Sequence, residues 1–211
     1  MGWPIDIDGW GSSEEERTAA YPCDVLIDNP DRVLFRAVDV AAPADLVFRW
    51  VCQLRAAPYS YDWIDNLGRP SPRQLTPGLD QLEVGQRVAT IFRLAGFEPG
   101  RSITFDTHSW LFGRVAMTYR AVPGESDAGA RAGADAGADA GGTAASRRCR
   151  LVVKLLVAWP SGWRGPTMRA LLPGGDLVMM RRQLLNLKAL AERDAAAAAA
   201  GSTGAPAPAL H

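Results

Sequence analysis

The chain has 211 residues, enough for one domain with appendages, and its 23 basic side chains balance its 23 acidic ones. No basic patch with interleaved aromatics appears, so nucleic acid is not an expected partner. Cys23, Cys52 and Cys149 are scattered without metal spacing, and two histidines do not complete a zinc site with them, so neither metal nor cofactor is expected.

The first residues, Met1 to Asp6, hold no basic segment and no apolar run, and no stretch is long enough to cross a membrane. The expected location is the cytoplasm, with reduced thiols. Residues 1–30 read as an N-terminal extension without a clear strand or long helix. Ser12-Ser13-Glu14-Glu15-Glu16 is suited to start a short helix there. A single compact domain is expected over 31–194.

Arg32 to Val40 reads as the first strand, ending at Ala41-Ala42-Pro43. Pro43 suits the first turn of a helix, where its missing N–H would be unpaired in any case. Leu46, Val47, Trp50, Val51 and Leu54 then form an apolar face, broken by Pro58. Ser60 to Leu67 reads as a second short helix stopped by Gly68.

A strand through Val88, Thr90, Phe92 and Leu94 follows. Phe97-Glu98-Pro99-Gly100-Arg101 reads as a turn, since proline presets one dihedral and glycine permits a positive one. Ile103, Phe105 and Thr107 alternate with Thr104, Asp106 and His108, and Val115, Met117, Tyr119 and Ala121 alternate in the next run. Leu151, Val153, Leu155, Val157 and Trp159 share one face of a last strand, and Arg150, Val152, Lys154 and Leu156 share the other. Short turns between these runs predict an antiparallel meander. Residues 124–147 are Ala/Gly-rich low-complexity text without a large apolar side chain, and read as an expanded hairpin loop.

From Gly175 to Arg193 the pattern is one long helix, with Asp176 as its expected cap. Leu177, Met180, Leu184, Leu187 and Ala191 lie on one face, and Val178, Leu185 and Leu190 widen the stripe, so that the helix is expected to be largely buried. Residues 195–211 read as a tail rich in alanine and proline, whose first alanines can extend the helix.

Several of these runs resemble a known family. Arg36-Ala37-Val38-Asp39-Val40-Ala41-Ala42-Pro43, Trp50-Val51-Cys52-Gln53-Leu54, Phe97-Glu98-Pro99-Gly100-Arg101 and the closing helix resemble, in that order, the SRPBCC superfamily, also called START-like, of polyketide cyclases and lipid-transfer proteins. Tyr59-Ser60-Tyr61-Asp62-Trp63-Ile64-Asp65-Asn66 resembles an actinobacterial-type subgroup whose members mostly lack an assigned activity. The resemblance implies an α+β helix-grip fold: a seven-stranded antiparallel curved sheet wrapped around the long C-terminal helix, with two short helices after the first strand. It also implies an internal cavity for a lipid, polyketide or other aromatic ligand, but no one reaction.

Candidate site residues follow from the pattern. Tyr59, Tyr61 and Trp63 combine apolar rings with polar ends, which suits either a gate at the cavity mouth or a lid packed on the sheet edge. Met179 and Met180 suit a wall facing a variable ligand, or plain core. Phe92, Phe105, Met117, Tyr119 and Trp159 fall on the faces expected to line the interior. Arg36 falls with Leu34, Val38 and Val40 on an apolar face, where a cation needs a partner or a charged ligand group unless it lies at the wet end of the strand. His108 and Asp106 are the candidate acid–base residues, although alternation points them away from Ile103 and Phe105 unless a bulge intervenes.

The leading expectation is a protein that binds a hydrophobic or aromatic small molecule. A cyclase- or dehydratase-type enzyme with acid–base groups among His108, Asp106, Arg36 and Tyr119, and a protein-interaction module, are the alternatives.

Overall fold

The structure, a computed structural model, describes residues 6–88, 91–110, 113–124, 148–162 and 164–203. The low-complexity loop from 125 to 147 and the tail from 204 lie outside the described residues.

Six strands form one antiparallel sheet: β1 (Arg32–Val40), β2 (Arg87–Val88), β3 (Phe92–Glu98), β4 (Ser102–Ser109), β5 (Gly113–Pro123) and β6 (Cys149–Ala158). Their order is β1-β6-β5-β4-β3-β2, so β2 to β6 run as a meander and the chain's first strand closes onto its last. A seventh strand is not among the described residues. The single strand expected through Val88 and Leu94 is instead a hairpin, with Arg87 opposite Arg93 and Val88 opposite Phe92. The turn between β3 and β4 has Pro99 and Gly100 at its centre. Gly100 has φ 71° and the Arg101 N–H donates to the Glu98 carbonyl at 2.9 Å.

Four α-helices lie among the described residues. They are α1 (Glu14–Thr18), α2 (Ala44–Cys52), α3 (Asp62–Asp65) and α4 (Arg164–Thr203). Pro43 stands just before α2, as its fixed φ favours. Leu67 and Gly68 both take positive φ after α3 and end it. α4 starts earlier than its sequence predicts: it runs through Pro173, Gly174 and Gly175, so Asp176 lies inside the helix and does not cap it. Packing overrides the weak local propensity here, because Leu172 rests on the core and Pro173 is buried.

One face of the sheet grips α4. Leu34, Leu94, Ile103, Phe105, Leu151, Val153, Leu155 and Val157 bury against Met180, Leu184, Leu187 and Ala191, with α2 at one end. Val178 and Leu185, expected to widen the buried stripe, are on the solvent side of α4.

The N-terminal extension covers the opposite face. Tyr21, Cys23 and Ile27 pack on Phe35, Ala37, Ala116, Val152 and Leu156. Ser13 caps α1 reciprocally with Glu16, and Glu16 also pairs with Arg150 at 2.7 Å. Lys154 reaches Asp24 at 2.6 Å, and the Cys23 N–H donates to Thr118 Oγ1 at 3.1 Å. Residues 8–10 lie along the free edge of β1, where the Phe35 and Ala37 N–H groups donate to the Asp8 and Trp10 carbonyls. That edge is therefore not open to another chain. This second cover explains why both faces of β6 are buried although one of them carries Arg150 and Lys154.

Candidate functional site

A polar cluster lies between the gripping face of the sheet and α4, in surroundings that are otherwise apolar. Arg36 enters it from β1, since Leu34 and Val38 on either side also face inward. Its side chain is 1% exposed, and it donates to Asp176 Oδ2 at 2.7 Å and to the Phe35 carbonyl at 2.8 Å. Arg36 Nε is buried without a partner. Asp176, which the sequence offers as a helix cap, is thus the counter-ion of the cation that the sequence marks as out of place.

Burial raises the Asp176 carboxyl to about 6, and the neighbouring Arg36 guanidinium only partly offsets this. Tyr119, on β5, is close enough to feel the same carboxylate. Burial, with Asp176 adding to it, holds its phenol well above the ordinary tyrosine range. Its hydroxyl donates to Gln183 Oε1 at 2.6 Å and lies 3.5 Å from the Met180 sulfur. Phe105 meets Tyr119 edge-on at 5.7 Å between ring centroids.

The segment 58–60 is tied to α4 beside this cluster. Gln183 Nε2 donates to the Pro58 carbonyl at 2.6 Å, Asn186 Nδ2 to the Tyr59 carbonyl at 2.8 Å, and Ser60 Oγ to the Met179 carbonyl at 3.1 Å. Tyr59 takes φ 54°, a conformation that a bulky residue adopts only when its surroundings impose it. Its ring is buried edge-on to Trp50, and its hydroxyl, pushed up to about 12 by burial, has no partner.

The expected site residues therefore fall into groups. Arg36, Tyr59, Phe105, Met117, Tyr119 and Met180 are buried between sheet and helix, and Met179 borders them at the 58–60 segment. Phe92 and Trp159 are partly buried against the same core. Tyr61 is half-buried, whereas Trp63 is 76% exposed and not packed on the sheet edge. His108 is exposed and Asp106 half-buried, and both lie on the outer face: β4 and β5 stay in register from Ser102 to Ser109, so no bulge turns them inward. Sequence reasoning missed Gln183, Asn186, Ser60 and the role of Asp176. An acid on the buried stripe of a helix, one position before Leu177, was the available signal for the last.

No profile of a known protein family matches the chain, and no curated protein does. Similar solved structures exist at low identity. A Thermobifida fusca protein solved by NMR is 16% identical, covering 75% of this chain and 94% of its own, with a TM-score of 0.41. The ZhuI aromatase/cyclase of a Streptomyces species is 17% identical over 78% of this chain and 93% of its own, at 0.37. The di-domain ARO/CYC StfQ of the steffimycin biosynthetic pathway is 11% identical over 78% of this chain and 51% of its own, at 0.41. With identities and scores this low, what the chain does rests on its own interior.

Proposed function

We propose that this protein binds a largely apolar small molecule bearing oxygen acceptors, held between the sheet and α4. The observation that carries this reading is the pair of buried donors without partners, Arg36 Nε and the Tyr59 hydroxyl, within an apolar shell. A buried unpaired donor costs about 1–3 kcal/mol, which an oxygen of a bound ligand would recover. Both groups donate hydrogen bonds, which selects a carbonyl, phenol or carboxylate oxygen on the ligand. Phe105, Met117 and Met180 supply apolar contact for its body, the two methionines adaptably. A ligand would enter where the 58–60 segment, held to α4 by three hydrogen bonds, comes away from the helix.

The test is native mass spectrometry of freshly purified protein, with organic extraction of what is carried along. A reproducible extra mass that is lost on denaturation supports a binding protein. A clean mass that stays clean after incubation with flat aromatic ketones and phenols overturns it.

A second reading has its own observation. Arg36 and Tyr119 converge inward beside Asp176, whose carboxyl lies near neutrality. In an enzyme of the cyclase or dehydratase type, Asp176 would transfer protons at a bound carbonyl compound while Arg36 holds the oxygen that gains charge. Loss of turnover in Asp176→Asn with retained ligand binding separates this reading from simple binding. The protein is read as acting in the cytoplasm, as one domain over 31–194.

A further inference from the structure

The outer face of the sheet carries a second group of side chains that the interior leaves unused. Arg87 and Arg93 are direct cross-strand partners, Arg93 in turn stands opposite Asp106, and His108 stands opposite Arg114. Their strand neighbours Val88, Leu94, Phe105 and Val115 are buried in the interior, so alternation sets these five on the opposite face. Two adjoining depressions meet there and share Asp106, Thr107 and His108. One, of about 350 Å³, is walled by Leu26, Ile27 and Arg114. The other, of about 430 Å³, is walled by Arg87, Arg93, Ile91 and Phe92. Together they form one trough along the β2–β5 side of the sheet.

The charges in this trough are poorly matched from within. Arg114 donates to the Leu26 carbonyl at 2.7 Å, which fixes one end. Among the described residues, the side chains of Arg87, Arg93, Asp106 and His108 make no hydrogen bond or ion pair, although Asp106 is the register partner of Arg93. Like charges directly opposite on paired strands repel, and the Arg87–Arg93 pair keeps that arrangement. Three guanidiniums against one carboxylate leave the trough cationic. An oxyanion with several oxygens relieves the repulsion by accepting from both guanidinium forks at once.

We propose that this trough binds the phosphate or pyrophosphate group of a small phosphorylated molecule. Arg87 and Arg93 clamp the anion, and His108 and Arg114 contact the rest of the molecule toward β5. Asp106 excludes a second anion and accepts from a hydroxyl. The site is separate from the interior one and does not depend on it.

His108 reports on the trough directly, because the chain has only one other histidine, His211. The experiment follows the two imidazole signals of the full chain by NMR, assigned with His211→Gln, while inorganic pyrophosphate is added at fixed pH and ionic strength. The expected result is a saturable shift of His108 alone, accompanied by a rise in Tm. Arg93→Gln and Arg87→Gln should each weaken the binding at least tenfold with unchanged circular dichroism, while Tyr59→Phe leaves it intact. A shift that sodium chloride reproduces, or one that survives both arginine substitutions, overturns the proposal. Co-sedimentation with phosphatidic-acid vesicles that pyrophosphate competes away would trace the phosphate to a lipid headgroup, and saturable pyrophosphate binding without co-sedimentation traces it to a soluble molecule.

Discussion

Arg36 and Asp176 stand 140 positions apart and meet at 2.7 Å in the space between sheet and helix, where the arginine keeps 1% of its exposure and the aspartate 12%. The two partners respond differently to loss of the other. Arginine cannot shed its proton in a protein, whereas an aspartate left alone in an apolar site takes one up. Asp176→Leu should therefore cost about 3 kcal/mol of stability or more by stranding the cation, and Arg36→Met should cost less. The double variant should recover a large part of the loss. Denaturant unfolding of the four proteins checks this, and strict additivity would mean that the pair is not coupled.

The same pair gives a pH signature. Asp176 sits at about 6 in the folded protein against an ordinary 3.8. Between those values the folded protein holds a proton that the unfolded chain has released. The contribution of this group to stability is therefore largest below about pH 4, falls as pH rises through about 6, and is level above about 7, a total change of about 3 kcal/mol. Glu16 and Glu192 have lowered carboxyls and act in the opposite direction, losing their contribution as pH falls below 4.5. The informative quantity is thus wild type minus Asp176→Asn, since the amide still offers Arg36 an oxygen and does not titrate. A flat difference between pH 4 and 7 would refute the assignment.

Much of the fold is legible in the sequence, because alternation and the Ala-Pro helix start act locally. β1 occupies the predicted Arg32–Val40, and the β5 and β6 faces follow their alternation. Arg36 is legible as an anomaly for the same reason: a two-residue period places it among Leu34 and Val38. Its partner is not, since Pro173-Gly174-Gly175 reads as a stop and moves Asp176 to a helix end. Only packing of Leu172 and Pro173 shows that the helix continues. The N-terminal cover is illegible for another reason. It buries single side chains, Tyr21, Cys23 and Ile27, from one 3-10 turn and the residues flanking it, and so leaves no period to detect. The Arg87–Arg93 hairpin is hidden by an apolar alternation that runs straight across its turn.

All three thiols are buried, and burial raises Cys23 and brings Cys52 to about 12. A thiolate is the reactive form, so the native protein should react with a colorimetric disulfide reagent at least a hundredfold more slowly than the chain in concentrated guanidinium. Cys23 is the exception to follow under mild denaturant. It lies on the N-terminal segment and is buried by that segment's docking on the sheet, so it should become reactive before Cys52 if the segment undocks as a unit. Simultaneous exposure of the three would show that the cover and the sheet unfold together.

Tyr59 and Trp63 separate binding from stability at the proposed entrance. The Tyr59 hydroxyl is buried without a partner, so Tyr59→Phe removes an unmet donor and should leave stability unchanged or raise it by about 1 kcal/mol. Trp63 stands largely in solvent, so Trp63→Ala should change stability by no more than about 0.5 kcal/mol. If the interior holds a ligand with oxygen acceptors, Tyr59→Phe should lower the fraction of protein that carries the extra mass, because the donor is what the ligand meets. Trp63→Ala should lower it too if the ring contacts the ligand during entry. Tyr59→Phe with full ligand retention would remove the hydroxyl from the site and leave Arg36 Nε as the sole unmet donor behind the binding proposal.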